Sequence, residues 1–189
     1  KVGTIVPLYR EENKYYIDES NLDNLVFLDN GTQFVITSEK SGYMHLYLYD
    51  LNGRERQAIT KGNFDIIDFY GYDPVRKLFY YSSYEESPLE KYIYSINEKG
   101  LKKKLTPVKG WNEASFSKNF NYYINVVSNT DTPPVTALYN AKGKQVRVLE
   151  DNKAVKEAVK AYNLAKPEFI QIPAADGKTM LNAWIMKPV

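Results

Sequence analysis

The chain has 189 residues, and its 25 Lys and Arg nearly balance its 23 Asp and Glu, which leaves a net charge of +2. This balance gives no reason to expect a polyanionic partner such as nucleic acid. The absence of cysteine excludes disulfides, thiol catalysis and thiolate metal sites. No run of 18 apolar residues occurs, so the sequence predicts no membrane span. Because aromatic residues suit pleated sheets, the 17 tyrosines favour an all-β fold.

Two sequence signals recur in step along the chain. An apolar run that ends in serine appears three times at a spacing of 45 residues. These serines are Ser38, Ser83 and Ser128. A turn-forming Asp or Asn is also followed three residues later by glycine, as in Asp50 and Gly53, Asn97 and Gly100, and Asn140 and Gly143. Asp and Asn close tight turns with their own side chains, and glycine supplies a positive φ, so each pair predicts a turn between two strands.

The repeats define a unit of about 45 residues with four strands, which is typical of a β-propeller blade. The predicted first strands are 25–28, 66–71 and 113–116, and the predicted last strands are 54–60, 101–106 and 144–150. The sequence therefore predicts three blades, near 21–60, 63–106 and 111–150. We expect 1–19 to supply outer strands of a preceding blade. Since closed propellers have at least four blades, the fold class we predict is all-β, a partial, open propeller.

The pattern changes after Glu150. Asp151 is expected to cap a helix whose apolar side chains recur with a 3.6-residue period. These side chains are Ala154, Val155, Ala158, Val159 and Tyr162. Beyond Pro167, 168–172 and 179–186 predict a hairpin around the turn 175–178. We therefore divide the chain into a propeller part (1–150), a connecting helix (151–166) and the opening strands of another domain (167–189), and we expect both ends to be cut from a longer protein.

His45, the only histidine, lies in a predicted strand. A catalytic triad needs an exposed nucleophile on a sharp turn, as in G-x-S-x-G, and the sequence contains no such pattern. We therefore interpret His45 as a structural or surface residue. One histidine without cysteine also argues against a zinc site, and we predict no metal ligand.

Three charged motifs could carry function. Paired carboxylates such as Glu85-Glu86 can bind an ammonium group or transfer protons, but a solvated loop is the simpler interpretation, as it is for Glu11-Glu12. The basic run 102–104 falls in a predicted outermost strand, where lysine prevents aggregation between sheet edges. It does not indicate nucleic-acid binding, because the chain has no excess of positive charge. Asn30-Gly31-Thr32 matches the N-glycosylation acceptor but coincides with a predicted turn.

Several motifs, in order and at consistent spacing, resemble the dipeptidyl peptidase IV family of prolyl oligopeptidase-type serine peptidases. They are the stretches 38–47, 59–66, 132–135 and 148–152. The resemblance covers essentially the whole chain, from late propeller blades to the threshold of the hydrolase domain. It is greater to bacterial members, because the cysteines of the animal propeller are missing.

The resemblance implies an exopeptidase that removes X-Pro or X-Ala dipeptides from peptide N-termini. It also implies an eight-bladed propeller joined to an α/β-hydrolase domain, which supplies the Ser-His-Asp triad, and a propeller Glu pair that binds the substrate ammonium. None of these residues matches a position here. The triad is expected beyond Val189 and the Glu pair before Lys1; Glu85-Glu86 matches in composition only, and Asp18-Glu19-Ser20 matches too loosely to assign. We therefore assign no catalytic, substrate-binding or metal residue and no cofactor.

The resemblance gives further expectations about partners and location. The parent enzyme is expected to act on peptides, to form a homodimer and to be periplasmic or extracellular. The chain alone is expected to be inactive and to self-associate through uncovered blade faces. Two alternatives remain: a stand-alone propeller that binds a glycan or a protein, and the propeller of an acylaminoacyl- or oligopeptidase.

Overall fold

The computed structural model describes residues 3, 5, 7–18, 24–28, 31–162 and 164–188. Residues 29 and 30 of the predicted turn, and with them the asparagine of the glycosylation motif, lie outside the described residues. So do the start of the first blade near 21 and most of Asp18-Glu19-Ser20. No helix in the described part of the chain is long and apolar enough to cross a membrane.

Three antiparallel sheets of four strands form the body of the structure, and we call them blades 1, 2 and 3. In each blade the strands pair in sequence order. Blade 1 contains β1 (Val26–Phe27), β2 (Gln33–Ser38), β3 (His45–Asp50) and β4 (Glu55–Ala58). Blade 2 contains β5 (Ile66–Asp73), β6 (Leu78–Ser83), β7 (Tyr92–Ile96) and β8 (Lys102–Lys104). Blade 3 contains β9 (Trp111–Phe116), β10 (Tyr122–Asn129), β11 (Thr132–Asn140) and β12 (Gln145–Glu150). The prediction of a partial, open propeller is confirmed.

The same turn closes the last hairpin of every blade. In blade 2, the Asn97 side-chain oxygen accepts hydrogen bonds from the N–H groups of Lys99 (3.0 Å) and Leu101 (2.9 Å). Asp50 and Asn140 make the equivalent pair of bonds in blades 1 and 3. The glycine of each turn has a positive φ, at 73° for Gly53, 80° for Gly100 and 79° for Gly143. The turn chemistry predicted from the Asp or Asn and Gly spacing is therefore present three times.

Tyrosine rings fill the spaces between blades. The interface of blades 1 and 2 buries aliphatic and aromatic side chains that include Leu46, Leu48, Phe79, Tyr81 and Tyr94. The interface of blades 2 and 3 buries Tyr80, Ile93, Tyr123, Ala137 and Tyr139. Rings stack within this second interface, with centroids 5.2 Å apart for Tyr123 and Tyr139. Such ring pairs add about 0.5–1.5 kcal/mol each beyond the burial of their area.

The N-terminal segment differs from expectation. We predicted outer strands of a preceding blade within 1–19, yet the described residues there form no strand. Pro7 has no N–H to donate to a ladder, and the segment meets blade 1 by packing rather than by strand pairing. Leu8 and Tyr9 pack against the outer core of blade 1, and the Tyr9 ring lies edge-on to Tyr49 at 5.1 Å.

The helix α1 spans Lys153–Lys160, shorter than the predicted 151–166. The N-cap position is Asn152, not the predicted Asp151, although the Asp151 carboxylate accepts the N–H of Lys153 at 3.0 Å. The Asn152 side chain donates to the Pro134 carbonyl at 2.6 Å and so ties the helix to β11.

A two-stranded antiparallel sheet of β13 (Glu168–Pro173) and β14 (Met180–Ile185) follows, as the hairpin pattern predicted.

Candidate functional site

His45 has a structural environment. It is 3% exposed, and its Nε2 lies 3.0 Å from the Gly62 carbonyl, which can only accept a hydrogen bond. Nε2 therefore carries the proton, and Nδ1 accepts from the Thr60 hydroxyl at 3.1 Å. The Phe64 ring packs edge-on against the imidazole at 5.2 Å. Since both ring nitrogens are engaged with the segment that leads into blade 2, His45 holds that segment in place and is not arranged to transfer a proton.

The interpretation of Glu85-Glu86 as a solvated loop is wrong for Glu85, whose side chain is largely buried, whereas Glu86 is exposed in the turn. The Glu85 side chain is 9% exposed and forms an ion pair with Lys102. Glu86 binds Lys104 at 2.7 Å and accepts the Tyr94 hydroxyl at 2.8 Å. The Lys104 bond is the main cause that lowers the pKa of Glu86. The acidic pair thus neutralises two of the three lysines of the basic run, Lys102 and Lys104, across blade 2.

The remaining charged motifs are also engaged by the fold. Lys103, in the outermost strand as predicted, donates to the Lys142 carbonyl of blade 3 at 2.8 Å. Glu11 accepts hydrogen bonds from the Ser38 hydroxyl at 2.6 Å and from the Tyr9 hydroxyl. The expectation that Glu11 is solvated is therefore also wrong. Glu12 remains exposed and pairs with Arg10. Each of these carboxylates has at least one partner within the described residues.

A buried lysine between blades 2 and 3, Lys91, was not predicted from the sequence as part of a charged cluster. The Lys91 side chain is 5% exposed, and its Nζ lies 3.2 Å from Asp68 on β5 and 3.6 Å from Glu113 on β9. The Trp111 ring lies 5.0 Å from the ammonium. We call Asp68, Lys91, Trp111 and Glu113 the Lys91 cluster. The ammonium of Lys91 thus links the first strands of blades 2 and 3 through ion pairs with Asp68 and Glu113.

Asp68 is held ionised within this cluster. Burial raises the pKa of Asp68, but the hydrogen bond from Ser82 and the charge of Lys91 outweigh it and leave the pKa below its usual value. The Ser82 hydroxyl donates to Asp68 at 2.6 Å. Ser82 is fully buried, so although its hydroxyl donates to the Asp68 carboxylate, it is not open to a substrate as an activated nucleophile would be.

Backbone bonds reinforce the same interface. Lys91 and Trp111 form a parallel bridge between the blades. The buried Asn112 amide donates to the carbonyls of Lys91 (2.9 Å), Val108 (3.1 Å) and Gly110 (3.2 Å). Its oxygen accepts from Asn125 at 2.9 Å. The interface is therefore fixed by a polar network as well as by tyrosine packing, which suits a rigid scaffold.

Metal binding finds no support in the described residues, because no group of His, Asp or Glu side chains there could hold an ion. The geometry of these residues contains buried ion pairs and hydrogen-bonded turns, and the Thr60 hydroxyl that lies against His45 is buried, so it is not placed to attack a substrate. The described part of the chain is an arc of three propeller blades followed by a helix and a hairpin.

Comparison with known families identifies this arc. The family model of the dipeptidyl peptidase IV (DPP IV) N-terminal region matches residues 1–134. The chain belongs to this family, which confirms the resemblance seen in the sequence.

Named relatives agree with this assignment. A probable dipeptidyl peptidase 4 of Aspergillus flavus is 30% identical over 173 residues, which cover 84% of this chain and 22% of that protein. Dipeptidyl peptidase 4 of Trichophyton rubrum is also 30% identical, with the same coverage. The chain thus spans about a fifth of the length of these relatives.

Solved structures extend the likeness to three dimensions. The crystal structure of Porphyromonas gingivalis dipeptidyl peptidase 4 matches with a TM-score of 0.89 and 41% identity, over 96% of this chain and 26% of that one. A putative dipeptidyl aminopeptidase IV from Bacteroides ovatus matches with a TM-score of 0.72 and 25% identity, over 87% of this chain and 26% of that one.

Proposed function

We propose that the chain is the late propeller section of a bacterial serine-type dipeptidyl peptidase that releases X-Pro or X-Ala dipeptides from peptide N-termini. The observation that carries this proposal is the likeness to Porphyromonas gingivalis dipeptidyl peptidase 4 over 96% of the chain, at 41% identity. In the parent enzyme, a serine activated by histidine would attack the peptide carbonyl, and an oxyanion hole would hold the developing charge. The present chain would contribute propeller blades that lie next to the hydrolase domain.

We further propose that 1–150 belong to the propeller, 151–166 connect the two domains and 167–189 begin the hydrolase domain. Uncovered apolar side chains support this division. Val155 and Val159 are exposed on the helix, and the cross-strand neighbours Phe169 and Trp184 are exposed on the hairpin. An isolated two-stranded hairpin is marginally stable in water, so the rest of a hydrolase sheet is a fitting cover for these surfaces.

The function is tested with the full-length parent enzyme and a matched pair of substrates. We expect hydrolysis of Gly-Pro-p-nitroanilide, inhibition by a serine-directed phosphonate, and no hydrolysis of the N-acetylated substrate. Preference for the acetylated substrate would point to an acylaminoacyl- or oligopeptidase, and no hydrolysis of either would favour a binding propeller. The 189-residue chain alone should not cleave Gly-Pro-p-nitroanilide.

We also propose a periplasmic or extracellular homodimer for the parent and self-association for this chain alone. Tyr122 and Ile124 are exposed on β10, while Tyr123 between them is buried against blade 2. Alternate residues of a strand face opposite sides, so blade 3 presents an apolar face that has no neighbour among the described residues. Light scattering should show the chain associating as its concentration rises, whereas a monomer at high concentration would contradict self-association. Cell fractionation and sedimentation test the location and the dimer.

A further inference from the structure

The hairpin turns of blades 1 and 3 close tightly on the segment before them. A Cβ placed on Gly143 would lie 2.8 Å from the carbonyl oxygen of Leu105, just after the last strand of blade 2. One placed on Gly53 would lie 2.7 Å from the carbonyl oxygen of Leu8. These distances leave no room for a side chain, so at both interfaces the turn rests directly on neighbouring backbone.

The corresponding turn of blade 2 makes no such backbone contact among the described residues. Gly100 has the same conformation as its counterparts, but among the described residues nothing lies within 4 Å of a Cβ placed on it. By the repeat, its neighbour should be Ile59, which matches Leu105. Each of these two residues donates its N–H to the middle strand of its own blade at 2.8 Å, and a threonine follows each. The interface of blades 1 and 2 is therefore open at the Gly100 turn, whereas the turns at Gly53 and Gly143 are closed by neighbouring backbone.

A cleft of about 350 Å³ occupies this open end. Its apolar side chains are Ile59, Phe64, Tyr81 and Ile96. The Gln57 side chain of blade 1 donates to the Glu98 carbonyl of blade 2 at 3.0 Å, and both residues line the cleft. The volume lies at the lower end of the range of small-molecule sites, and the lining combines apolar side chains with polar and charged ones.

The charged lining of the cleft is mostly basic. Three lysines, Lys61, Lys99 and Lys102, face one acidic side chain, Glu98. Lys102 is engaged by Glu85, but Lys61 and Lys99 are exposed and have no ion-pair partner among the described residues. Two exposed lysines at a cleft that is partly lined by apolar side chains suit a ligand that joins a carboxylate to an apolar body.

We propose that this cleft between blades 1 and 2 binds a small carboxylate with an aromatic or aliphatic body. The C-terminal residue of a peptide and a free aryl acid share this chemistry. N-acetyl-L-phenylalanine represents the first source, 3-phenylpropionate represents the second, and N-acetyl-L-phenylalanine amide lacks only the charge.

The test is an NMR titration of the 189-residue chain with these three probes, at a concentration below that at which light scattering detects self-association. We expect saturable shifts of the Gln57 and Gly100 amides with at least one acid and much weaker binding of the amide. The acid that binds more tightly identifies the source. Shifts that do not saturate with either acid, or equal affinity for acid and amide, would overturn the proposal.

Variants localise the site. The double variant Lys61→Gln/Lys99→Gln removes two exposed charges, and we expect about fivefold weaker binding of the acid, from about 0.5 kcal/mol for each exposed pair. The matched control is Lys142→Gln, because Lys142 holds the turn position of Lys99 in blade 3, where the interface is closed. Its affinity should equal that of the unmodified chain. Equal weakening by the control, or no weakening by the double variant while its amide spectrum stays folded, would refute the site.

Discussion

Removing one charge from the Lys91 cluster should lower the stability of the chain by an amount that depends on which partner is removed. The Lys91 side chain is 5% exposed, whereas Asp68 is 43% and Glu113 is 64% exposed. Asp68→Asn leaves an ammonium buried with its more distant partner, at 3.6 Å. Lys91→Met leaves two carboxylates that water can reach. The aspartate variant should therefore be the less stable of the two.

The magnitudes follow from burial. Removing one partner of a fully buried ion pair costs about 3–5 kcal/mol, and exposed pairs contribute below about 1 kcal/mol. Because Glu113 still faces Lys91 in the first variant, we expect a loss of about 2 kcal/mol for Asp68→Asn and about 1 kcal/mol for Lys91→Met. Each kcal/mol corresponds to about 2–4 °C in Tm for a chain of this size. The double variant leaves no unpaired buried charge and should lose only about 1 kcal/mol, which is a coupling energy of about 2 kcal/mol.

Urea unfolding at pH 7 measures these differences. In a Trp184→Phe background, Trp111 within the cluster is the remaining tryptophan and reports its opening. Glu113→Gln is the matched control, because its carboxylate is mostly exposed and should contribute below about 0.5 kcal/mol. A greater loss for Lys91→Met than for Asp68→Asn, or additive losses in the double variant, would refute the reasoning.

Three further predictions concern the turns and the histidine. Asn97→Ala removes the acceptor of two N–H groups and should lower stability by about 1–2 kcal/mol. Asn97→Asp should change stability by less than about 0.5 kcal/mol, because Asp50 occupies the equivalent position in blade 1. Urea midpoints that rank the two variants the other way would contradict this prediction. The Thr179 hydroxyl and two backbone N–H groups lower the pKa of Asp176 to about 2. The contribution of Asp176 to hairpin stability is therefore present above about pH 4 and is lost as the pH falls toward 2. An NMR titration should give this low pKa, and Thr179→Val should move the pKa toward 3.8. His45→Gln in the parent enzyme should lower Tm but leave kcat per folded molecule unchanged, and a loss of kcat would show that His45 takes part in the chemistry.

The blade architecture could be predicted because its signals are local. The turn bonds of Asn97 join atoms two and four residues apart, so the sequence pattern contains both partners. The serine-terminated runs at 45-residue spacing correspond to the second strand of each blade, which is buried at Ser38 and Ser83 and pairs on both sides. Where the interactions that fix a strand or turn lie within one hairpin, the sequence alone is sufficient to predict it.

The charged groups could not be assigned in this way, because their partners are set by strand register. Glu85 and Lys102 are 17 residues apart and meet only after β6, β7 and β8 have paired. Lys91 is more than 20 residues from both Asp68 and Glu113, and it needs two blades to be in place. A carboxylate pair in a loop looks solvated until the strand that carries its lysines is placed beside it.

The two blade interfaces show how one repeat can give different local properties. The turn at Gly100 and the turn at Gly143 have nearly the same φ and the same side-chain bonds, yet only Gly143 rests on the preceding blade. The interface of blades 2 and 3 also carries the buried charge of Lys91, whereas the interface of blades 1 and 2 ends in a cleft. The sequence of a single blade therefore specifies its own strands and turns. What lies between blades depends on how two such units meet, and that is where stability and ligand binding can vary without changing the fold.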